Sequence, residues 1–295
     1  MQGTDRICGV VVTYNRKALL EECLTALLNQ TRRLDEIIVI DNASTDGTED
    51  LVKAQFPGVT YVKLAKNTGG AGGFYKGMKL AFEKGHDWIW VMDDDSIAMA
   101  DALEKLARRD LMDVEQVCAV ASTVLDAQGN IYKPCRRLLN GMRLTKWIFE
   151  ADKHSVPVER YADAHFEIDT ASFVGLLVSR ETIEKVGLPK KEFFIYWDDV
   201  EYSLRIRRIG RILTVPDSKI VHKPPVGPSI IGRRKLYYFH RNRVYTCRLH
   251  DRPNIAFYWQ ALVTAYPDLR HLAVSTVVER VKTLMKQFGL RSETS

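Results

Sequence analysis

The sequence has no apolar run long enough to cross a bilayer, which takes about 18 to 20 residues. Its longest candidate, Ile255 to Tyr266, falls short and is interrupted by Gln260, so no spanning helix is expected. The opening Met1-Gln2-Gly3-Thr4-Asp5-Arg6 has neither a basic n-region nor a small-residue cleavage site, and a secretory leader is not expected. Cysteine is sparse. Cys8, Cys23, Cys118, Cys135 and Cys247 are odd in number and far apart, with no CxxC spacing. That excludes a disulfide framework or a zinc ribbon and makes reduced thiols in a cytosolic protein the simplest expectation. Internal repeats and low-complexity linkers are also missing.

What is present is ordinary globular composition, 46% apolar and 27% charged over 295 residues. Such a chain is long enough for one large domain or two small ones, burying roughly 75% of its unfolded surface. Bases outnumber acids 43 to 37, a net charge of +6, which favours anionic partners without choosing among them. The excess is concentrated late: Lys219, Lys223, Arg233, Arg234, Lys235, Arg241, Arg243, Arg248 and Arg252 fall within one stretch.

The first hundred residues alternate short β-rich runs with helical patterns. Ile7 to Thr13 is continuously apolar, as a strand covered on both faces must be, and Ala18 to Gln30 repeats Leu and Ala at helical spacing. Glu36 to Ile40 is a second strand. It ends in Asp41-Asn42-Ala43-Ser44-Thr45-Asp46-Gly47, a turn in which Ser44 or Thr45 is the expected helix cap. Val59 to Leu64 is a third, followed by Asn67-Thr68-Gly69-Gly70-Ala71-Gly72-Gly73-Phe74 and a helix to about Lys84; Trp88 to Met92 is a fourth and stops at Asp93-Asp94-Asp95. The pattern predicts a mostly parallel, Rossmann-like α/β sheet, with ligands outside the carboxyl ends of the strands. Thr13, Asn15, Arg16, Asp41, Asn67, the glycines and the three aspartates all fall at those ends. Later come strand-like segments at Val117 to Val124, Ile168 to Ser179 and Arg211 to Val215, then Ile220-Val221-His222; a helix opened by Phe193-Phe194-Ile195-Tyr196-Trp197-Asp198-Asp199-Val200-Glu201 is expected to run to about Ile209, with Gly210 as its stop. Beyond Pro228 two helical, basic and aromatic stretches follow, Arg233 to Leu249 and Ile255 to Phe288.

Each constellation has a plain reading beside the chemical one. Asp93 and Asp95 suit a hard divalent cation such as Mg²⁺ or Mn²⁺, and equally suit a solvated acidic turn. Gly69 to Gly73 allow a backbone anion cradle, or only tight helix-to-strand packing; they match neither the phosphate-binding P-loop nor the dinucleotide fingerprint. Asp198 and Asp199 gain from a helix N-terminus, and a carboxylate in that aromatic setting also suits a general base. His222 alone reads first as a structural histidine.

Taken jointly, Val11-Val12-Thr13-Tyr14-Asn15-Arg16, Ile38 to Thr48, Asn67 to Phe74 and Met92-Asp93-Asp94-Asp95 resemble glycosyltransferase family 2 enzymes of the GT-A fold, over residues 5 to about 225. With Phe193 to Arg205, the glycine run looks most like bacterial galactofuranosyltransferases; rhamnosyltransferases using dTDP-rhamnose rank second. The resemblance implies an inverting, metal-dependent transfer from a UDP-sugar to a lipid-linked or polysaccharide acceptor. Thr13, Asn15, Arg16 and Asp41 would hold the uridine, and Asn67, Gly70 and Gly72 would line nucleotide and sugar. Asp93, Asp95 and His222 would bind Mn²⁺ or Mg²⁺, leaving Asp94 to contact ribose or sugar. Asp199 would be the base, Asp198 an orienting acid, and Trp197 a stacking platform.

It further implies a GT-A catalytic domain over 1–228 and a helical C-terminal extension over 229–295. Arg270, Arg280, Lys282, Lys286 and Arg291, interleaved with apolar residues, suit either the anionic inner leaflet of a membrane or a helix packed on the core or on a second subunit. The expected location is cytoplasmic, with attachment at the membrane face as one option. A catalytically inactive scaffolding protein is the rival class. Nucleic acid is not expected as a partner, because no zinc spacing or aromatic RNA-binding strand accompanies the charge.

Overall fold

The structure is a computed structural model, and it describes residues 5–112, 114–224, 233–251 and 253–265. The elements run β1 (Ile7–Thr13), α1 (Lys17–Leu28), β2 (Glu36–Asp41), α2 (Thr48–Gln55), β3 (Thr60–Lys63), α3 (Gly69–Glu83), β4 (Trp88–Asp93) and β5 (Ser96–Ala98). Next are α4 (Ala102–Leu106), α5 (Arg109–Met112), β6 (Val117–Leu125), β7 (Arg136–Arg137), α6 (Leu144–Trp147), β8 (Phe166–Ile168), β9 (Thr170–Ala171) and β10 (Leu176–Ser179). Then come α7 (Arg180–Val186), α8 (Asp198–Ile206), β11 (Arg211–His222), α9 (Arg233–His250) and α10 (Ile255–Ala265).

One nine-stranded sheet organises the molecule, in the order β3-β2-β1-β4-β10-β6-β11-β5, with β8 also on β11. The first four strands pair in parallel, as their unbroken apolar runs require, and every residue of β1 is buried. On one face α1 presents Leu20, Cys23, Leu24 and Leu27 at helical spacing to the core. On the other face α3 lies directly against β1. A Cβ added at Gly73 would stand 2.4 Å from Val12 Cγ1, and one at Gly77 2.3 Å from Val10 Cγ1. Part of the glycine run therefore serves packing, and the run itself forms the first turns of α3 rather than an open loop.

Three local expectations are corrected. The cap of α2 is Gly47, with φ +84, while the Asp46 carboxylate accepts from the Thr48 N–H; Ser44 is drawn off to accept from the Asn15 N–H. The stretch Ile168 to Ser179 spans the end of β8, then β9 and β10, and Gly175, with φ +73, turns the chain into β10. Arg211 to His222 is one strand whose register shifts between Val215 and Lys219. The second half of the sheet is mixed: β10 runs antiparallel to both β4 and β6, and β5 antiparallel to β11.

A third apolar cluster joins α6, the loop before α8, α8 itself, α9 and α10, through Trp147, Phe193, Trp197, Leu204, Cys247 and Phe257. Among the described residues no helix is long and apolar enough to cross a membrane. The 228/229 boundary, the part of the expected Ile255 to Phe288 helix that follows Ala265, and Arg270, Arg280, Lys282, Lys286 and Arg291 lie outside the described residues.

Candidate active site

The carboxyl ends of β1, β2 and β4 meet at one edge. Thr13 stands opposite Asp41 in the β1–β2 register, and the Asn42 N–H donates to the Thr13 carbonyl at 2.9 Å. Two loops are stapled there by Asn15, a non-glycine residue with φ 52 whose Oδ1 accepts from the Thr45 N–H at 2.8 Å. Asp41 is fully buried, and its carboxylate accepts from the Ser44 N–H at 2.8 Å and from the Tyr61 hydroxyl. Asn67 Oδ1 accepts from the Gly69 N–H at 2.7 Å and so starts α3. Asn42, which sequence reasoning passed over, grips the same turn: its Oδ1 accepts from the Thr68 N–H at 3.1 Å and its Nδ2 donates to the Gly69 carbonyl at 3.2 Å. A Cβ on Gly72 would strike Thr68 Oγ1, whereas the space beside Gly70 is open.

The three aspartates have three different neighbourhoods. Asp94 accepts from Thr13 Oγ1 at 2.7 Å and from the Arg16 guanidinium at 3.1 Å. Asp95 accepts from Arg16 at 2.7 Å through one oxygen, and its other oxygen lies 3.1 Å from His222 Nε2. Asp93 makes no side-chain hydrogen bond among the described residues. His222 arrives from far along the chain because β11 pairs antiparallel with β5, placing His222 opposite Ser96, and the Lys223 N–H locks onto the Asp95 carbonyl at 2.8 Å. Tyr132 holds the imidazole edge-on at 5.4 Å.

The donor set Asp93, Asp95 and His222 fits a divalent cation. One ligand atom from each lies within 4.8 Å of the others, and the buried Asp95 Oδ1 accepts no hydrogen bond, its only polar neighbour among the described residues being His222 Nε2 at 3.1 Å, a fellow donor of the set. Buried polar atoms are rarely left so without a reason. Surrounding protein, then the charges of Asp95, Asp94 and Asp198, push the Asp93 carboxyl well above its usual range. A cation would relieve that repulsion. Two carboxylates and an imidazole are the oxygen-rich, borderline set that suits Mn²⁺ or Mg²⁺.

Asp198, in the first turn of α8, is one of the charges that act on Asp93. Burial and then neighbouring Asp199 push the Asp198 carboxyl up to about 8. Burial raises Asp199 too, opposed by the Val200 N–H that donates to it at 2.7 Å and by the guanidinium groups of Arg137 and Arg136. Arg136 had no assigned part in the sequence. It is fully buried, pairs with no carboxylate among the described residues, and donates to the carbonyls of Ser122, Cys135 and Val174. The backbone ties this pair of arginines to α8: Arg136 is paired with Ala171, whose N–H donates to Ser203 Oγ at 3.1 Å. Trp197 is only 8% exposed, its ring packed edge-on to Trp147 and against Phe239, so most of its face is already covered by protein.

A Rossmann-like sheet carrying this acidic cluster at its strand ends, with Asp198 close enough to add to the charge on Asp93, is the arrangement of a glycosyltransferase of the GT-A fold. The model of the family described as "Glycosyl transferase family 2" matches residues 8–169, and the chain belongs to that family. Galactofuranosyltransferase GlfT1 of Mycolicibacterium smegmatis is 34% identical over 212 residues, 71% of this chain and 68% of that protein. GlfT1 of Mycobacterium tuberculosis is 31% identical over 292 residues, covering 88% and 90%. The dTDP-rhamnosyl transferase RfbF of Shigella flexneri is 28% identical over 221 residues, covering 74% and 69%. Among solved structures, GalNAc-T7 with UDP, GalNAc and Mn²⁺ superposes with a TM-score of 0.64 at 13% identity, covering 96% of this chain and 55% of that one. TarS residues 1–349 of S. aureus in complex with UDP gives 0.56 at 15% identity, covering 98% and 76%. At such identities the structural likeness speaks for the fold.

Proposed function

We propose that the chain transfers galactofuranose from UDP-galactofuranose to a hydroxyl of a lipid-linked or growing cell-surface polysaccharide, with inversion at the anomeric carbon. The observation that carries this is the juxtaposition of the Asp93/Asp95/His222 cluster with the Asp198–Asp199 pair; the GlfT1 relatives favour the particular sugar. In this reading Thr13, Asn15, Arg16 and Asp41 receive the uridine, Asn67, Gly70 and Gly72 line the nucleotide and sugar, and Asp94 contacts ribose or sugar. Asp93, Asp95 and His222 hold Mn²⁺ or Mg²⁺, which when bound neutralises charge on a diphosphate leaving group.

Asp199 takes the proton from the acceptor hydroxyl while that oxygen bonds to the anomeric carbon. The bond from that carbon to the diphosphate oxygen breaks on the opposite face, and UDP leaves with the electron pair. Burial keeps Asp199 more basic than an exposed carboxylate, which suits a general base working near neutral pH. Asp198 orients donor or acceptor, and Trp197 offers the sugar no more than its uncovered edge. Residues 1–228 form the catalytic domain in this proposal, and 229–295 the acceptor-side extension, in contact with a cytoplasmic membrane face or a second subunit.

An assay of nucleoside diphosphate release tests it, UDP from UDP-galactofuranose, UDP-galactopyranose or UDP-glucose and dTDP from dTDP-rhamnose, with Mn²⁺ or Mg²⁺ and lipid-linked acceptors. Release confined to UDP-galactofuranose, and dependent on metal and acceptor, is the expected result. Turnover with dTDP-rhamnose alone moves the assignment to the rhamnosyltransferase reading that RfbF represents. Metal-dependent nucleotide binding with no transfer from any donor favours the inactive scaffold.

A further inference from the structure

Within the stretch Arg233 to Leu249, the residues Tyr237-Tyr238-Phe239-His240-Arg241-Asn242-Arg243 are densely aromatic and basic. In the fold they lie on α9, and one of them reaches the loop that carries the candidate base. Asn242 is fully buried, with its amide nitrogen 2.8 Å from the carbonyl oxygens of Phe193, Ile195 and Tyr196. Its Oδ1 accepts from Arg241 Nε at 2.8 Å, and the Arg241 guanidinium continues to the Glu192 and Phe193 carbonyls. Carbonyls only accept and a guanidinium only donates, so this network fixes which end of the amide faces the loop.

The loop so gripped is in a demanding conformation. Phe194, Tyr196 and Trp197 have φ of 64, 66 and 69, and none is glycine. Bulky residues occupy that region only where the surroundings hold them there. The opposite side of the loop is held by α3: the Ala71 N–H donates to the Phe194 carbonyl at 3.2 Å, and a Cβ on Gly69 would come within 1.9 Å of that oxygen. Asp198 and Asp199 follow at once.

We propose that Asn242 is a positioning residue: by sharing its two amide N–H donors among the carbonyls of Phe193, Ile195 and Tyr196 it keeps the loop left-handed, and so sets where Asp198 and Asp199 stand relative to the Asp93/Asp95/His222 cluster. The proposal rests on the reading of Asp199 as the base. Without the amide donors the loop relaxes and the first turn of α8 moves, while the turns after β1 to β4, which have their own staples, stay in place.

Asn242→Asp is the sharpest test, because it keeps the shape and turns an acceptor toward three acceptors. Backbone hydrogen exchange on the full chain is expected to rise at least about tenfold across residues 193–199 and not across 88–95. With whichever donor turns over, kcat falls about 100-fold, as small misplacements of reacting groups do, while calorimetric binding of UDP with Mn²⁺ is retained. Arg241→Met, which leaves Asn242 in place but frees its orientation, gives the same local exchange signature at smaller amplitude if the Asp variant fails to fold. Unchanged exchange at 193–199 overturns the proposal. So does a global rise in exchange in both variants with parallel loss of UDP binding, since that marks a general folding role. Asp199→Asn is run alongside: turnover retained there sinks the base assignment, whereas a dead Asp199→Asn beside a fully active Asn242→Asp sinks only the clamp.

Discussion

Along the ends of β1 to β4 the candidate donor-side residues are held by the turns at adjacent strand ends, Asp41 by Ser44 and Asn67 by Gly69 within one turn, Asn15 by Thr45 and Thr13 by Asp94 between neighbouring ones. The candidate base, by contrast, follows a strained loop whose partners come from α3 and α9. The first side is self-supporting, built from contiguous turns on a rigid sheet. The second is assembled from segments distant in sequence, and its geometry is only as good as their contacts. A site made this way separates two tasks: the preformed edge binds nucleotide, and the supported loop places the base. Variants that touch one side alone break that separation or sharpen it.

The largest effect belongs to the base. Asp199→Asn is expected to lower kcat by roughly 10²–10⁴, the usual worth of a general base, with donor binding nearly intact. Calorimetry with UDP and Mn²⁺ beside steady-state kinetics measures both. Equal loss of binding and turnover would place Asp199 on the donor side. Next is His222→Gln, which removes one of the three cation donors while the strand register with β5 persists. Mn²⁺ affinity should fall by at least about 10–100-fold, read by titration of the metal against the full chain. Unaltered affinity would mean the cluster is not the cation's site.

Asp198 gives a pH-dependent contrast of the order of a few kcal/mol at most. Its carboxyl is pushed up to about 8 in the folded state, by burial first and then by Asp199, against about 3.9 in the unfolded chain. The folded state therefore binds more protons between those values, and its stability declines as pH rises through that window. Asp198→Asn removes the titration. Thermal melts in EDTA should show the variant gaining on the parent from pH 5 to pH 8, with the two alike near pH 3. A constant gap would show that Asp198 keeps an ordinary carboxyl.

The same division governs what could be read from the sequence. β1 and the turn residues after it were legible because strands buried on both faces leave unbroken apolar runs and their turns carry local polar signals; Ile7–Thr13 matches the observed strand end for end. Asp93, Asp95 and His222 could be grouped by resemblance, and the β5–β11 pairing supplies the physical reason they meet. Asn242 and Arg136 were not legible. Each acts through backbone carbonyls of remote segments, and a carbonyl leaves no mark on the sequence. Nor does left-handed backbone at Phe194, Tyr196 and Trp197, since glycine or asparagine is the usual sign of it. The glycine run was half understood: Gly73 and Gly77 answer to Val12 and Val10 of the sheet, and Gly69 to Phe194.

The smallest expected effect probes the self-supporting side at Asn15. Its side chain accepts from the Thr45 N–H at 2.8 Å, and its φ of 52 is one asparagine tolerates better than alanine. Asn15→Ala loses both the hydrogen bond and the tolerance, together about 1–2 kcal/mol. Asn15→Gly loses the hydrogen bond but adopts the conformation freely. If the turn is held mainly by backbone geometry, the glycine variant should bind UDP almost as the parent does and the alanine variant several-fold more weakly, with kcat moved in neither. Equal weakening in both would give the whole effect to the Thr45 staple. A fall in kcat in either would mean that the nucleotide edge and the base loop are mechanically joined, and the contrast between the two sides would fail at its preformed end.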